Sequence, residues 1–444
     1  MTRALLIVAA FAAAAPASAQ SEPPAVRITL DEALQQGLAA SQRLAELGAR
    51  QQAADAAAES RAAADRPSVA AVAGYTRTNH VDIFVIPVPG HLPQVVYPDI
   101  PDNYHTRLDL QWPIYSGGRT DALERAARAE AAASVEDVAA ARADLRLEIT
   151  RAFWALVTAD ETAAVLRRSL EGIDAHVSDL RTRFDQGLIP PNDVSSAEAQ
   201  QARERLLALE ADNRRAIAEA DLRRLTGNEQ PGRLEPDPGT ATAPGSSTKT
   251  AEVAELIAAA LDARPERRAL NDRAQAAHDE IDAASAAWKP QLALGGGYDY
   301  ARPNPRIFPR STDWRTSWDA SVNVSWTIWD GGRRKADRAV ATATAAALDA
   351  RTADFDRSLT FEVRQRRLEL DSSIAAIGAA DEEVRAAADA ERVVGERYRA
   401  GVATSTDVLD AQVARLQAEL DRTRAVADAR LAQARLARAT GQQP

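Results

Sequence analysis

Few side chains in this sequence stand where they could do chemistry. There is no cysteine, which removes thiol nucleophiles, thiolate metal sites, disulfide staples and a lipid-bearing N-terminal cysteine. His80, His91 and His105 lie near Asp82, Asp99 and Asp102, residue types that bind metals. They lack the fixed ligand spacing and supporting contacts of a metal site. Gly117-Gly118, Gly331-Gly332 and the run Gly295-Gly296-Gly297 could bring backbone amides close to a phosphate. None has the Gly-Lys-Ser/Thr of a nucleotide loop or the spacing of a dinucleotide fingerprint. Asp407 and Asp410 fall near a helix start at i, i+3, so both carboxylates share one helix face. A single aspartate there ordinarily caps the helix or complements its dipole. No Ser-His-Asp order and no carboxylate pair in a pocket-like context occurs. The expectation is a protein that is not an enzyme and needs no cofactor and no metal.

The elements that position these residues are long. Of 444 residues 45% are hydrophobic, mostly alanine, while Phe, Tyr and Trp number seven each. So few bulky side chains cannot fill several thick cores, and alanine-rich, charge-rich chains form long helices or coiled coils. The formal charge of −10 argues against nucleic acid, which selects a basic face. Arg3, the apolar run Ala4 to Ala15 and Ala17-Ser18-Ala19 read as a secretory signal over 1–19. No later stretch approaches 18 uninterrupted apolar residues, so any membrane insertion must use β-strands.

The chain is written twice. A shift of 214 lays LQWPIYSGGR (Leu110 to Arg119) on VSWTIWDGGR (Val324 to Arg333), and RFDQGLIPPNDV (Arg183 to Val194) on RYRAGVATSTDV (Arg397 to Val408). Upstream, a shift of 223 pairs Tyr75 with Tyr298, so the first strand loop is nine residues longer. The expected organisation is a first repeat over 20–227, a linker at 228–250 by its proline, glycine and serine content, and a second repeat over 251–444. Each repeat holds helices, a strand pair (68–115 and 291–329) and a helical hairpin (119–227 and 332–441).

In the first long helix Leu145, Ile149, Ala152, Leu156, Ala159, Ala163, Leu166, Leu170, Ile173, Val177, Leu180 and Phe184 step by four and three, a coiled-coil seam. The second copy keeps Leu359, Val363, Leu370, Ile377, Val384 and Val394 but puts Arg366, Ser373 and Glu391 on the seam, so looser packing is expected. Trp314 to Trp329 and Tyr104 to Ile114 alternate apolar with polar residues, as the wall of a membrane barrel does and as a soluble sheet packed on its helices also would; an exported chain with no other membrane element favours the barrel. Four strands per chain cannot close such a barrel, so several chains must share one.

The strand-GGR junctions and the Phe/Tyr-x-x-Gly-x-x-x-x-x-Asp-Val turn in each half resemble the TolC family of outer-membrane efflux proteins. The resemblance covers essentially the whole chain after the signal. It implies a mainly α fold with a membrane β-barrel: a homotrimer with a 12-stranded barrel in outer-membrane lipid, on the periplasmic side a coiled-coil tunnel. Its function would be the exit duct of a tripartite efflux or type I secretion system in a Gram-negative bacterium. The implied partners are a periplasmic adaptor (membrane fusion) protein and an inner-membrane pump of RND or ABC type. By the same resemblance Asp407 and Asp410 form the channel constriction, with crowding that raises their pKa values. Asp193 and Tyr398 belong to a tip clamp whose arginine position is Ala403 here, leaving Arg183 or Arg397 as substitutes. Gly187 and Gly401 break the hairpins at tip turns that meet the adaptor, and Gly117, Gly118, Gly331 and Gly332 are the strand-helix junctions. The competing reading is a periplasmic adaptor or structural coiled-coil protein of an envelope complex.

Overall fold

The computed structural model describes residues 25–238 and 252–442; the expected signal at 1–19 and residues 239–250 of the expected linker lie outside the described residues. The elements run β1 (Val26–Thr29), α1 (Leu30–Ala40), α2 (Gln42–Ala62), β2 (Ser68–Arg77), β3 (Phe84–Ile86), β4 (Gln94–Tyr97), β5 (Asp102–Tyr115), α3 (Arg119–Asp185) and α4 (Pro191–Thr226). After β6 (Leu234–Asp237) the order repeats as α5 (Val253–Ala263), α6 (Pro265–Ala286), β7 (Gln291–Arg302), β8 (Arg315–Ser325), α7 (Arg333–Arg399) and α8 (Ser405–Ala439). Helices α3 and α7 each hold 67 residues, about 100 Å at 1.5 Å per residue.

Several elements depart from the sequence reading. Leu234–Asp237, in the stretch read as linker, is a strand that pairs in parallel with β1. Four residues are too few to show periodicity, and side chains from α4 hold the strand in place. Arg215 donates to the Leu234 carbonyl at 2.6 Å, and Glu219 accepts the Leu234 N–H at 3.0 Å. The longer strand loop contains its own hairpin, β3 with β4. In addition, β8 stops at Ser325 although the alternation runs to Trp329. There the Trp326 indole donates to the Trp288 carbonyl at 3.1 Å, and Arg334 takes the Thr327 and Ile328 carbonyls at 2.7 and 3.3 Å.

One four-stranded antiparallel sheet has the order β2-β5-β7-β8. Its central pair joins β5 of one copy to β7 of the other, so neither copy makes the sheet alone. The period of two separates its faces. Val69, Leu108, Leu110, Trp112, Tyr298, Trp318, Val322 and Val324 share one face, and all are exposed. On the other face stand His105, Arg107, Asp109, Asp299, Asp319, Ser321 and Asn323.

The chain divides into two compact units, and each unit draws on both copies of the repeat. One gathers 25–41, 145–238 and Glu369–Ala434; the other holds Gln42–Asp144, 252–368 and 435–442. In the first, the α3 seam is the core. Ala163, Val165 and Leu166 pack on Ala208 and Ala211 of α4 and Leu416 of α8, and Ile173, Val177 and Leu180 pack on Ala197 and Leu409. Small residues on α4 let the helix axes approach closely, which dispersion rewards. The α7 seam is looser, as its polar insertions imply. Leu359, Val363 and Leu370 are buried, but Ile377, Val384 and Val394 are only half-buried.

In the second unit an ion network around two buried arginines, Arg264 and Arg438, ties the end of α8 to the start of α6. Arg438 bonds Asp144 at 2.7 Å and also Glu266, which in turn pairs with Arg264 at 3.0 Å. Burial pushes the Glu266 carboxyl up, but Arg438 and Arg264 outweigh it and hold it below the ordinary range. A depressed carboxylate stabilises the fold fully above its unfolded pKa of about 4.3, and the gain is lost as pH falls through the folded value. Glu266→Gln should therefore lower Tm at neutral pH, and the gap to wild type should narrow as the pH falls below the ordinary carboxylate range, read by circular dichroism melting. A gap independent of pH would remove Glu266 from the acid limb.

Candidate functional site at the hairpin turns

Both hairpins turn by the same local device. At the end of α3, Leu188 N–H donates to the Arg183 carbonyl at 2.9 Å and Gly187 N–H to the Phe184 carbonyl at 2.8 Å. After α7, Val402 bonds Arg397 at 2.9 Å and Gly401 bonds Tyr398 at 3.0 Å. This is the Schellman closure, which needs a left-handed residue after the helix. Gly187 and Gly401 supply it with φ of 72° and 76°, a conformation that costs other residues steric strain.

The second helices start differently. Helix α4 begins with Pro190 as N-cap and Pro191 as its first residue, with no side-chain cap. Helix α8 begins with a reciprocal capping pair. The Asp407 carboxylate accepts from Thr404 N–H at 2.7 Å and Oγ1 at 2.8 Å, while Asp407 N–H donates to Thr404 Oγ1 at 3.2 Å. The Thr404 amide and hydroxyl hold Asp407 below the ordinary carboxylate range. Within one chain this reverses the expected rise, because a hydrogen-bonded carboxylate is stabilised in its charged form. Asp410, one turn further on, is exposed like Asp407.

The expected Asp193–Tyr398 clamp is not made within the chain. Asp193 is half-buried and accepts from Asn192 Nδ2 at 3.0 Å. The Tyr398 hydroxyl is buried and has no hydrogen-bond partner among the described residues. The tyrosine ring instead packs on the core cluster of Ile173, Val177 and Leu180. Arg183, one of the two substitutes for the arginine missing at Ala403, sits with its guanidinium 4.9 Å from that ring centroid and bonds Asp179 at 2.9 Å. His176, which sequence reasoning passed over, completes the group. Its ring lies 5.8 Å from that of Tyr398, and Nε2 is 3.3 Å from Ser405 Oγ. Burial pushes the His176 pKa down and the Tyr398 pKa up. A histidine one residue off the seam at Val177 was the signal available in the sequence.

The strand-helix junctions use paired left-handed glycines: φ is 71° and 87° at Gly117 and Gly118, and 69° and 92° at Gly331 and Gly332. A Cβ on Gly117 would fall 2.8 Å from the Lys289 Cβ, so that glycine also serves close approach. Asp330 then starts α7 by accepting the Gly332 and Arg334 N–H groups at 3.1 and 3.0 Å. The loop histidines do not converge: His80 bonds Asp99 at 2.6 Å, and His105 lies against Gly74. Among the described residues no group of three His, Asp or Glu is placed to hold a metal, and no helix is long and apolar enough to cross a membrane.

Duplicated hairpins, duplicated glycine junctions and an amphipathic sheet shared between copies coincide with a family model. The description "Outer membrane efflux protein" matches residues 33–228 and 256–442. The chain belongs to the outer membrane efflux protein family. This is a family of channels in the outer membrane of Gram-negative bacteria, a transport family and not one of enzymes. The adaptor alternative finds no support. Among relatives, outer membrane protein TolC of Vibrio cholerae is 27% identical over 279 residues, 62% of each chain, so the chain spans under two thirds of that relative. Among solved structures, VceC from Vibrio cholerae superposes with a TM-score of 0.78 at 21% identity, covering 93% of this chain and 96% of its own. The Neisseria gonorrhoeae MtrE channel gives 0.76 at 21%, covering 93% and 89%. These likenesses establish the TolC-like fold.

Two substitutions separate the local roles in this member of the family. Thr404→Ala removes the cap but no charge and should cost about 1 kcal/mol in denaturant unfolding. Tyr398→Phe removes a buried, unpartnered hydroxyl and should leave stability equal or slightly higher. A clear loss for the phenylalanine variant would mean that the hydroxyl is bonded in the assembled protein.

Proposed function

We propose that the protein is the outer-membrane exit duct of a tripartite efflux or type I secretion system, a homotrimer whose copies pool their sheets into one barrel of twelve strands. The observation that carries this reading is the single sheet of four strands: exposed bulky apolar side chains cover one face, charged and polar ones the other, and no described strand pairs with the outer edge of β2 or β8. Lipid tolerates the apolar face but not unpaired edges. Three copies placed edge to edge satisfy every strand and turn the polar faces inward.

The helices then line a periplasmic passage that ends at the two turns. Asp407 and Asp410 of three chains form stacked carboxylate rings at its mouth, favouring cations. The latch of that mouth is the packed Tyr398 with Arg183 above it, next to Asp193. Gly187 and Gly401 shape the surface that meets a periplasmic adaptor, itself coupled to an inner-membrane pump of RND or ABC type.

Purified from outer membranes, the protein should run as a trimer and form cation-selective channels in planar bilayers. Combining Asp407→Ala with Asp410→Ala should raise conductance and weaken cation preference, whereas Thr404→Ala, which breaks the cap and keeps the charge, should retain the preference. A monomer without channel activity would end the duct reading. A channel unaltered by the double substitution would end the constriction assignment alone.

A further inference from the structure

The polar face of the sheet holds a charge cluster that the tip residues do not account for. Asp109 of β5, Gly297 of β7 and Asp319 of β8 stand in one cross-strand row, with Arg107 and Asp299 paired in the row two residues away. Arg107 reaches diagonally across Gly297. Its Nε donates to Asp109 at 2.6 Å, and Nη1 donates to Asp299 at 2.6 Å and to Asp319 at 3.0 Å. Arg306 adds a second guanidinium to Asp319 at 2.7 Å.

Glycine makes this placement possible. A Cβ on residue 297 would lie 2.0 Å from Arg107 Nη2 and 2.3 Å from Cζ. No other side chain leaves room for the planar cation to lie flat on the strand. The Gly295-Gly296-Gly297 run fits neither phosphate pattern, and its last glycine has this use. Three carboxylates against two guanidinium groups leave each cluster with one net negative charge, and the cation is drawn against the wall instead of projecting from it.

We infer that this cluster is a second selectivity element of the duct, inside the barrel and separate from the tip, favouring passage of cations and cationic organic solutes over anions. The inference rests on the channel reading above, which turns the polar face toward the lumen. Three copies then set a ring of net charge around the passage. Arg107 pinned on Gly297 keeps its positive charge at the wall and the passage open. A guanidinium released from the wall would leave the net charge unchanged but narrow the lumen and bring positive charge toward the axis.

The test is single-channel recording in a KCl gradient with the Asp407→Ala, Asp410→Ala protein as the parent, so that the tip does not dominate the signal. Neutralising two carboxylates per chain with Asp299→Asn and Asp319→Asn should lower the K⁺ to Cl⁻ permeability ratio about tenfold in dilute salt and less in concentrated salt, which screens the ring. Gly297→Val, which drives Arg107 off the strand, should lower both conductance and the ratio. Arg107→Gln should raise the ratio. If the valine variant does not assemble into trimers, the glutamine variant, which adds no bulk at the site, decides the matter. A parent that conducts while the asparagine and glutamine variants keep its ratio overturns the inference and leaves the duct standing. A wild-type protein that forms no channel overturns the duct itself.

Discussion

Among the described residues no strand pairs with the outer edges of β2 and β8, and the backbone groups along those edges set the terms for the rest of the molecule. In hydrocarbon no water competes for a peptide N–H or carbonyl, and each one left open costs several kcal/mol. The sheet's exposed valines, leucines and tryptophans face lipid in the duct reading, so its edges must meet those of other copies. One physical demand therefore links the alternation of the strands to the need for more than one chain. The duplication serves the same end, because the β5–β7 pairing makes two copies into one continuous sheet.

The helices solve a different problem with different residues. Around α3, apolar seam positions meet alanines, and the resulting clusters are buried. Around α7 the seam is interrupted by Arg366, Ser373 and Glu391, and its later positions remain half-exposed in the single chain. The two copies share a pattern without sharing a degree of burial. In the duct reading, surface left half-covered in one chain is surface for a neighbour. The ion network that joins the buried Arg438 and Arg264 to the half-buried Glu266 and the exposed Asp144 then anchors the end of α8. Networks of this kind weaken sharply when one partner is removed, since the other is left buried and unpaired.

At the turns, geometry assigns roles that residue type alone leaves open. Asp407 is both a capping carboxylate and an exposed charge, and the two roles agree, because the cap keeps it ionised. Within one chain Tyr398 is held by packing and by the Arg183 guanidinium over its ring, and its hydroxyl has no hydrogen-bond partner among the described residues. His176 and Ser405 join the group although they lie 229 positions apart in the chain.

Much of this protein is legible in its sequence because its constraints are periodic. A seam that steps by four and three over Leu145 to Phe184 forces a long helix, an alternation from Tyr104 to Ile114 forces a strand, and the in-register shift of 214 forces two like halves. The glycines at 117, 118, 187, 331, 332 and 401 are local signals too, since left-handed backbone depends on the residue itself. Other features required the tertiary structure, because they arise between segments whose spacing carries no pattern. Strand β6 forms where composition suggested only a linker, since Arg215 and Glu219 hold its backbone. Arg107 finds its three carboxylates only once β5, β7 and β8 lie side by side over Gly297. Periodicity decides which face is apolar, and long-range packing decides which charges meet.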